Sequence, residues 1–166
     1  MAKVKDPLVA SMRILKTFTC PSLSGKAEIT YQIGCTPESE VHLRVVGNTG
    51  GGFFNSNWVA MKDIQEILGK YTKEDVITSF VLAPLFKHKS VNTPSFLWAA
   101  LEHEKWLRRL KGKTRGHELY KPEIFTAKVE KLLAGKPRAK AKRTTKRATK
   151  KAATKKKTSM VKRKTS

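Results

Sequence analysis

The sequence contains few cysteines and no long run of apolar residues. Cys20 and Cys35 are its only cysteines among 166 residues. So few thiols are typical of a reducing compartment rather than of a disulfide scaffold, and the alternative is one bridge brought about by strand pairing. No apolar run approaches the roughly 20 residues of a membrane span, and the start of the chain lacks the features of a signal peptide. We therefore expect an intracellular, soluble protein without membrane insertion.

Acidic and aromatic residues are both absent from the last 31 positions, residues 136–166, which we call the tail. The tail holds 15 of the chain's 35 Lys and Arg, and its only sizeable apolar side chains are Met160 and Val161. Such a segment buries too little apolar surface to offset the entropy of ordering, so we predict that it is disordered. Residues 1–135 carry 20 basic and 13 acidic side chains, a balance of +7, and have the composition of one globular domain.

Two segments of this globular part alternate between apolar and polar residues. In residues 27–35, Ala27, Ile29, Tyr31, Ile33 and Cys35 share one face, and residues 41–45 alternate in the same way. A period of two indicates half-buried strands, and the five residues between them favour an antiparallel β-hairpin.

Other segments have the apolar spacing of helices. We predict helices over residues 7–18, 58–70, 73–86, from Thr93 to about Leu110, and over 122–133. Pro84 should bend or end the third of these. The predicted fold is thus a small α+β domain with an antiparallel β-hairpin and four to five helices, followed by the disordered tail.

The tail carries the strongest indication of function. A net charge of +22 favours anionic partners, nucleic acid first and an acidic membrane surface or protein second. Lys and Arg displace the counterions condensed on phosphates, while Ala and Thr allow close approach. The candidate phosphate-binding residues of the tail are Lys142, Arg143, Lys146, Arg147, Lys150, Lys151, Lys155, Lys156, Lys157, Lys162, Arg163 and Lys164.

The run from Lys142 to Lys157, KRTTKRATKKAATKKK, resembles the Lys/Ala/Thr-rich tails of linker histones and of bacterial histone H1-like DNA-binding proteins. The resemblance covers residues 136–166 only and implies sequence-tolerant binding to DNA or chromatin. Alternative roles for such a segment are a solubilising tail or a localisation signal that transport machinery recognises.

A second basic cluster lies near the end of the predicted long helix and in the loop that follows. Some cations there would complement the helix C-terminus, but the number in 17 residues exceeds what capping needs. The interleaved Trp106 and Tyr120 could stack on an unpaired base, or could belong to the core. The cluster consists of Lys105, Arg108, Arg109, Lys111, Lys113, Arg115 and Lys121. The alternative interpretation of this cluster is a solvated surface that binds nothing.

Support for catalysis is weak. Gly50, Gly51 and Gly52 follow a strand and precede a helix, as in a phosphate-binding loop, but the known glycine patterns of such loops are absent. A bulge or a mobile loop is the alternative. The histidines are scattered, and the two cysteines do not form a CxxC, so we predict no catalytic residue, no cofactor and no metal site.

The sequence therefore predicts a non-enzymatic nucleic-acid-binding protein, with DNA favoured over RNA. It should be cytoplasmic and nucleoid-associated, or nuclear in a eukaryotic cell. One alternative is a protein-interaction or regulatory module that the tail holds near nucleic acid, with a protein partner bound by the globular domain. Another is a small enzyme acting on nucleic acid, with its site around His42, Arg44 and the glycine loop.

Overall fold

The computed structural model describes residues 11–86, 90–113 and 115–135. The tail, with every candidate residue from Lys142 to Lys164, lies outside the described residues. So do residues 7–10, the first part of the predicted N-terminal helix.

A four-stranded antiparallel sheet forms the centre of the domain. Its strands are β1 (Arg13–Pro21), β2 (Glu28–Cys35), β3 (Val41–Asn48) and β4 (Val59–Ala60), in the order β1-β2-β3-β4. The predicted hairpin is confirmed as β2 and β3, with Ile33 opposite Leu43 and Tyr31 opposite Val45. The alternation predicted it because apolar side chains of both strands face the core and mostly polar residues face the other side of the sheet.

The predicted helix over 7–18 is wrong from residue 13 onward, because Arg13–Pro21 is strand β1, paired antiparallel with β2. The apolar spacing of this short segment fits a helix as well as a strand. Pairing with β2 decides between them, and it places Phe18 opposite Tyr31 and Cys20 opposite Ile29. The β-branched residues Thr17 and Thr19 also favour the extended backbone.

Four helices occur among the described residues: α1 (Met61–Leu68), a 3-10 helix (Ser79–Phe86), α2 (Thr93–His103) and α3 (Pro122–Ala134). The prediction over 122–133 is confirmed by α3. The prediction over 58–70 is confirmed by α1 for residues 61–68, whereas Val59–Ala60 form strand β4. The prediction of one helix over 73–86 is wrong, since only Ser79–Phe86 is helical and its hydrogen bonding is of the 3-10 type. Pro84 lies inside that segment, and Ile77 just before it forms an isolated bridge with His117.

The predicted long helix from Thr93 to Leu110 is also wrong at its end. Helix α2 stops at His103, and Lys105 takes a left-handed conformation with φ of 64° that turns the chain. Leu107–Arg109 (β5) then pairs antiparallel with His117–Leu119 (β6). Trp106 explains the turn, because its indole is buried and stacks on Phe125 of α3 with 5.5 Å between ring centroids.

One hydrophobic core, built from residues between Cys20 and Val129, fills the space between the sheet and the helices. Trp98 of α2 and Phe125 of α3 are completely buried, as is Tyr31 of β2. Both cysteines are buried and free. Because Cys20 pairs with Ile29, Cys35 lies about 20 Å further along β2, at about 3.3 Å per residue, so the alternative of a bridge between them does not apply.

The sheet face opposite the core is covered in part by Trp58. A Cβ atom added to Gly34 of β2 would come within 2.7 Å of Cη2 of Trp58 and within 3.0 Å of Cγ of Met12. We expect Gly34→Ala to lower the free energy of unfolding by about 1–3 kcal/mol, because the indole must move away from the sheet. Urea unfolding followed by Trp fluorescence measures this.

Gly52→Ala is the matched control for that substitution. A Cβ atom at Gly52 meets its nearest neighbours at 3.4 Å, which is ordinary contact, and its backbone is not left-handed. Its free energy of unfolding should therefore stay within about 0.5 kcal/mol of the wild type. Equal effects of the two substitutions would contradict the packing of Trp58 on Gly34.

Candidate nucleic-acid interface

The second basic cluster forms a β-hairpin rather than the end of a helix and a loop. We call residues 105–121 the basic hairpin. Its strands β5 and β6 place Arg108 opposite Glu118 and Arg109 opposite His117. Its turn is closed by the amide of Leu110, which donates to the carbonyl of Gly116 at 3.0 Å. The turn carries Lys111 and Lys113, both exposed, towards solvent.

Two of the seven predicted cations form ion pairs with carboxylates of the folded domain. Nε of Arg108 donates to Oε1 of Glu118 at 2.7 Å, and Nη2 of Arg109 donates to Oε2 of Glu102 at 3.1 Å. The other five are exposed and form no ion pair within the described part of the chain: Lys105, Lys111, Lys113, Arg115 and Lys121. The hairpin therefore presents cations without a local carboxylate partner.

Neither aromatic residue of the cluster is free to stack on a base. Trp106 is 3% exposed and belongs to the core, as the alternative prediction had it. The ring of Tyr120 is partly buried, with the guanidinium of Arg108 at 4.7 Å and the ammonium of Lys121 at 5.1 Å from its centroid. These cation–π contacts hold the two cations in place on the hairpin surface.

A buried histidine fixes the hairpin to helix α2. His117 is completely buried, its ring packs edge-on against Trp98, and its Nε2 lies 3.3 Å from Oε2 of Glu102. The contact with His117 is the main reason that the pKa of Glu102 is lowered, and Arg109 adds to it. The ionised carboxylate thus links α2 to the hairpin by contacts that favour its charged form.

The lowered pKa of Glu102 predicts how the stability of the domain depends on pH. Because the folded-state pKa lies below the ordinary value of 4.5, the folded protein binds fewer protons at this site than the unfolded chain. The stabilisation is therefore complete above about pH 4.5 and is lost as the pH falls through the lowered folded-state pKa. Glu102→Gln should reduce stability at pH 7 and make it less dependent on pH in this acidic range. Urea unfolding at a series of pH values checks this, and parallel pH profiles of the two proteins would contradict it.

At the end of α2, the buried Glu104 is the centre of a polar cluster that the sequence analysis did not identify. The carboxylate of Glu104 is 3% exposed, accepts from the hydroxyl of Tyr31, and receives the ammonium of Lys128 at 2.7 and 2.5 Å. The Tyr31 hydroxyl also lies 2.8 Å from Nδ1 of His103. The ammonium of Lys128 in turn lies 3.8 Å from the centroid of Phe18. This cluster joins α3, the end of α2 and the sheet.

The pKa shifts of Tyr31 in this cluster and of the Cys20 thiol favour a structural role for both groups. Burial and the hydrogen bond to Glu104 raise the pKa of Tyr31 well above its usual range. Burial and the carboxylates of Glu104 and Glu102 raise the pKa of the Cys20 thiol to about 11. Both groups therefore stay protonated at neutral pH, where a nucleophile would need to be ionised.

The alternative enzyme site brings together His42 and Arg44 on the sheet face that Trp58 covers. His42 is 4% exposed, and its Nδ1 lies 3.2 Å from the carbonyl of Glu40. The guanidinium of Arg44 donates twice to Oε1 of Gln32 and lies 4.4 Å from the ring of Trp58, and burial lowers its pKa. Both side chains are thus engaged within the fold.

The glycine loop between β3 and β4 is organised by Asn48. Its Oδ1 accepts from the amide of Gly50 at 2.9 Å, and its Nδ2 donates to the carbonyl of Gly52 at 3.4 Å. Gly51 has φ of 75°, a left-handed conformation that glycine adopts without steric cost. The amide of Gly50 is therefore directed at a side chain of the same loop.

The described residues include no group of three or more His, Cys, Asp or Glu side chains placed to hold a metal ion. No helix in the described part of the chain is long and apolar enough to cross a membrane. Comparison of the sequence with protein-family models and with curated proteins, and of the fold with solved structures, finds no match. The functional proposal below therefore depends on the residues of this chain alone.

Proposed function

We propose that the chain is a non-enzymatic nucleic-acid-binding protein, with DNA favoured over RNA, that binds phosphates through the tail and the basic hairpin. The observation that carries the proposal is the distribution of unpaired positive charge. Fifteen cations without one carboxylate follow α3 in the sequence. On the folded part, five exposed cations of the hairpin form no ion pair among the described residues. Such a protein would be located with nucleic acid, in a nucleoid or a nucleus.

The two basic regions contribute differently. Tail cations neutralise phosphates by their charge, which gives affinity that is sequence-independent and falls steeply with salt. The hairpin cations are held by strand pairing and by packing on α2 and α3, so they fix an orientation of the folded domain on the nucleic acid.

Substitution of the hairpin turn tests the contribution of the folded domain. Lys111→Ala/Lys113→Ala should weaken binding of the full chain to a duplex of random sequence. The slope of log affinity against log salt should become shallower by about 1–2, because each lost phosphate contact contributes about 0.9. Fluorescence anisotropy at several salt concentrations measures both quantities.

Lys70→Ala/Lys73→Ala is the matched control, since it removes two exposed lysines that lie outside both basic regions. It should leave the slope within experimental error of the wild type. Equal effects of the two double substitutions would mean that net charge, and not the hairpin, determines binding by the domain.

The second candidate function is a protein-interaction module that the tail holds near nucleic acid. Two exposed apolar side chains favour it: Phe53 is 92% exposed and Val91 is 90% exposed. They lie on neighbouring segments, because the hydroxyl of Ser90 and the amide group of Asn92 both donate to the carbonyl of Phe53. A hairpin substitution without effect on nucleic-acid binding would support this candidate.

A further inference from the structure

We propose that the folded domain carries a binding site for an unpaired nucleotide of single-stranded nucleic acid, in a groove beside the 3-10 helix. We call it the Phe80 groove. It is formed by the turn between β1 and β2, by the 3-10 helix and the start of α2, and by Arg115 of the basic hairpin. This inference rests on the proposed function and adds that the folded domain binds single-stranded nucleic acid.

The size of the groove suits such a ligand. Its volume is about 440 Å³, within the range of small-ligand sites. A second cavity of about 450 Å³ shares Ser79, Phe80 and Ser95 with it and continues along the apolar side chains of Ala83 and Val91. Phe80 thus lines both spaces, with room for a planar group against its ring.

Phe80 supplies the stacking surface that Trp106 and Tyr120 cannot. Its side chain is 74% exposed, so the face of its ring is accessible to a ligand in the groove. Every base has a π-face, so stacking on an aromatic side chain tolerates any sequence. A base within a duplex has both faces covered by its neighbours, whereas an unpaired base is free to stack on Phe80.

The polar lining of the groove suits a sugar and a phosphate. Arg115 is exposed and forms no ion pair within the described residues. The hydroxyls of Ser79 and Ser95 lie 3.1 Å apart, as do those of Ser22 and Ser24. Each hydroxyl can donate as well as accept. The groove has no carboxylate among its lining residues, so nothing in it repels a phosphate.

Charge decides between a nucleotide and an apolar peptide segment as the occupant. Arg115 belongs to the same hairpin turn as Lys111 and Lys113, so the groove opens beside the cations that the proposed function assigns to phosphates. A nucleotide whose base stacks on Phe80 can place a phosphate on Arg115, because both side chains line the same groove. An apolar peptide would cover Arg115 without giving its guanidinium a hydrogen-bond partner.

The test uses the full chain and three probes: a labelled single-stranded DNA of about 15 nucleotides, the same sequence as RNA, and the DNA as a duplex. Binding is measured by anisotropy at about 0.3 M salt, where phosphate contacts alone are weakened. Phe80→Ala should weaken single-strand binding roughly 5-fold to 100-fold, the range for loss of one base–aromatic stack. Arg115→Gln should weaken it several-fold. Duplex binding should change less than 2-fold with Phe80→Ala, and Phe80→Trp should retain single-strand affinity.

Phe53→Ala and Lys70→Ala are the matched controls, because each removes an exposed side chain of the same class that does not line the groove. Both should bind single strands within 2-fold of the wild type. An unchanged single-strand affinity of Phe80→Ala, or an equal loss for single strand and duplex, would overturn the inference and leave the proposed function intact. Failure of the wild type to bind any of the three probes at low salt would overturn the proposed function itself.

Discussion

Removal of residues 136–166 is expected to lower the affinity for duplex DNA by at least about 10³-fold near 0.1 M salt. The tail carries 15 cations and no carboxylate. The tail has enough cations for 6–10 phosphate contacts, a number whose affinity changes by about 10³–10⁵ between about 50 and 200 mM salt. The contribution of these contacts near 0.1 M salt is at least of that size, and the deletion removes it. The slope of log affinity against log salt should become shallower by about 5–9, because each of these contacts contributes about 0.9. Anisotropy titrations at four or more salt concentrations measure both changes.

The deletion should leave the fold intact, so that the loss reports on binding alone. Among the described residues, the buried core residues lie between Cys20 and Val129, and α3 ends at Ala134. The matched control keeps the composition of the tail and scrambles its order. Binding of the scrambled protein should equal that of the wild type, because phosphate neutralisation depends on charge and not on sequence. A scrambled tail that binds as poorly as the deletion would mean that a specific motif in the tail is recognised.

Glu104→Ala is expected to lower the free energy of unfolding by about 2–4 kcal/mol. Loss of one partner of a buried ion pair costs about 3–5 kcal/mol, and the estimate is reduced here because the Lys128 side chain is 32% exposed. The substitution also leaves the buried Tyr31 hydroxyl with one partner fewer. Urea unfolding should show a lower midpoint with an unchanged dependence on urea concentration.

Glu130→Ala is the control for that experiment, since Glu130 is an exposed glutamate on α3, the helix that carries Lys128. It should change stability by less than about 0.5 kcal/mol. If the two substitutions destabilise equally, the carboxylate of Glu104 does not hold α3 against the sheet. Nucleic-acid binding by folded Glu104→Ala should match the wild type, because Glu104 is buried and is not one of the proposed phosphate-binding residues.

Sequence patterns predicted those elements whose structure is decided locally. The β2–β3 hairpin follows from strict alternation, and α1 and α3 follow from helical spacing. Strand β1 could not be predicted from residues 13–21 alone, because its pairing with β2 depends on contacts distant in sequence. The early end of α2 has the same origin, since Trp106 leaves the helix to stack on Phe125.

The candidate interface was predicted in part. Composition identified the seven cations of residues 105–121, but it could not show that Arg108 pairs with Glu118 of the facing strand and Arg109 with Glu102 of α2. The sequence also could not show that Phe80 lies at the surface, because residues 79–86 are almost wholly apolar and suggest a buried helix. The Phe80 groove exists only where the 3-10 helix, the β1–β2 turn and Arg115 come together in the fold.

The most direct test of nucleic-acid binding is the salt dependence of the intact chain with a random-sequence duplex of about 25 base pairs. With the tail and the hairpin both on phosphates, log affinity should fall linearly with log salt, with a slope steeper than about −6. The same titration with bovine serum albumin as an acidic competitor should give the same slope, because one folded anionic protein does not reproduce the charge density of a duplex. Absence of binding at low salt, or a slope near zero, would contradict the proposal that this chain binds nucleic acid through its cations.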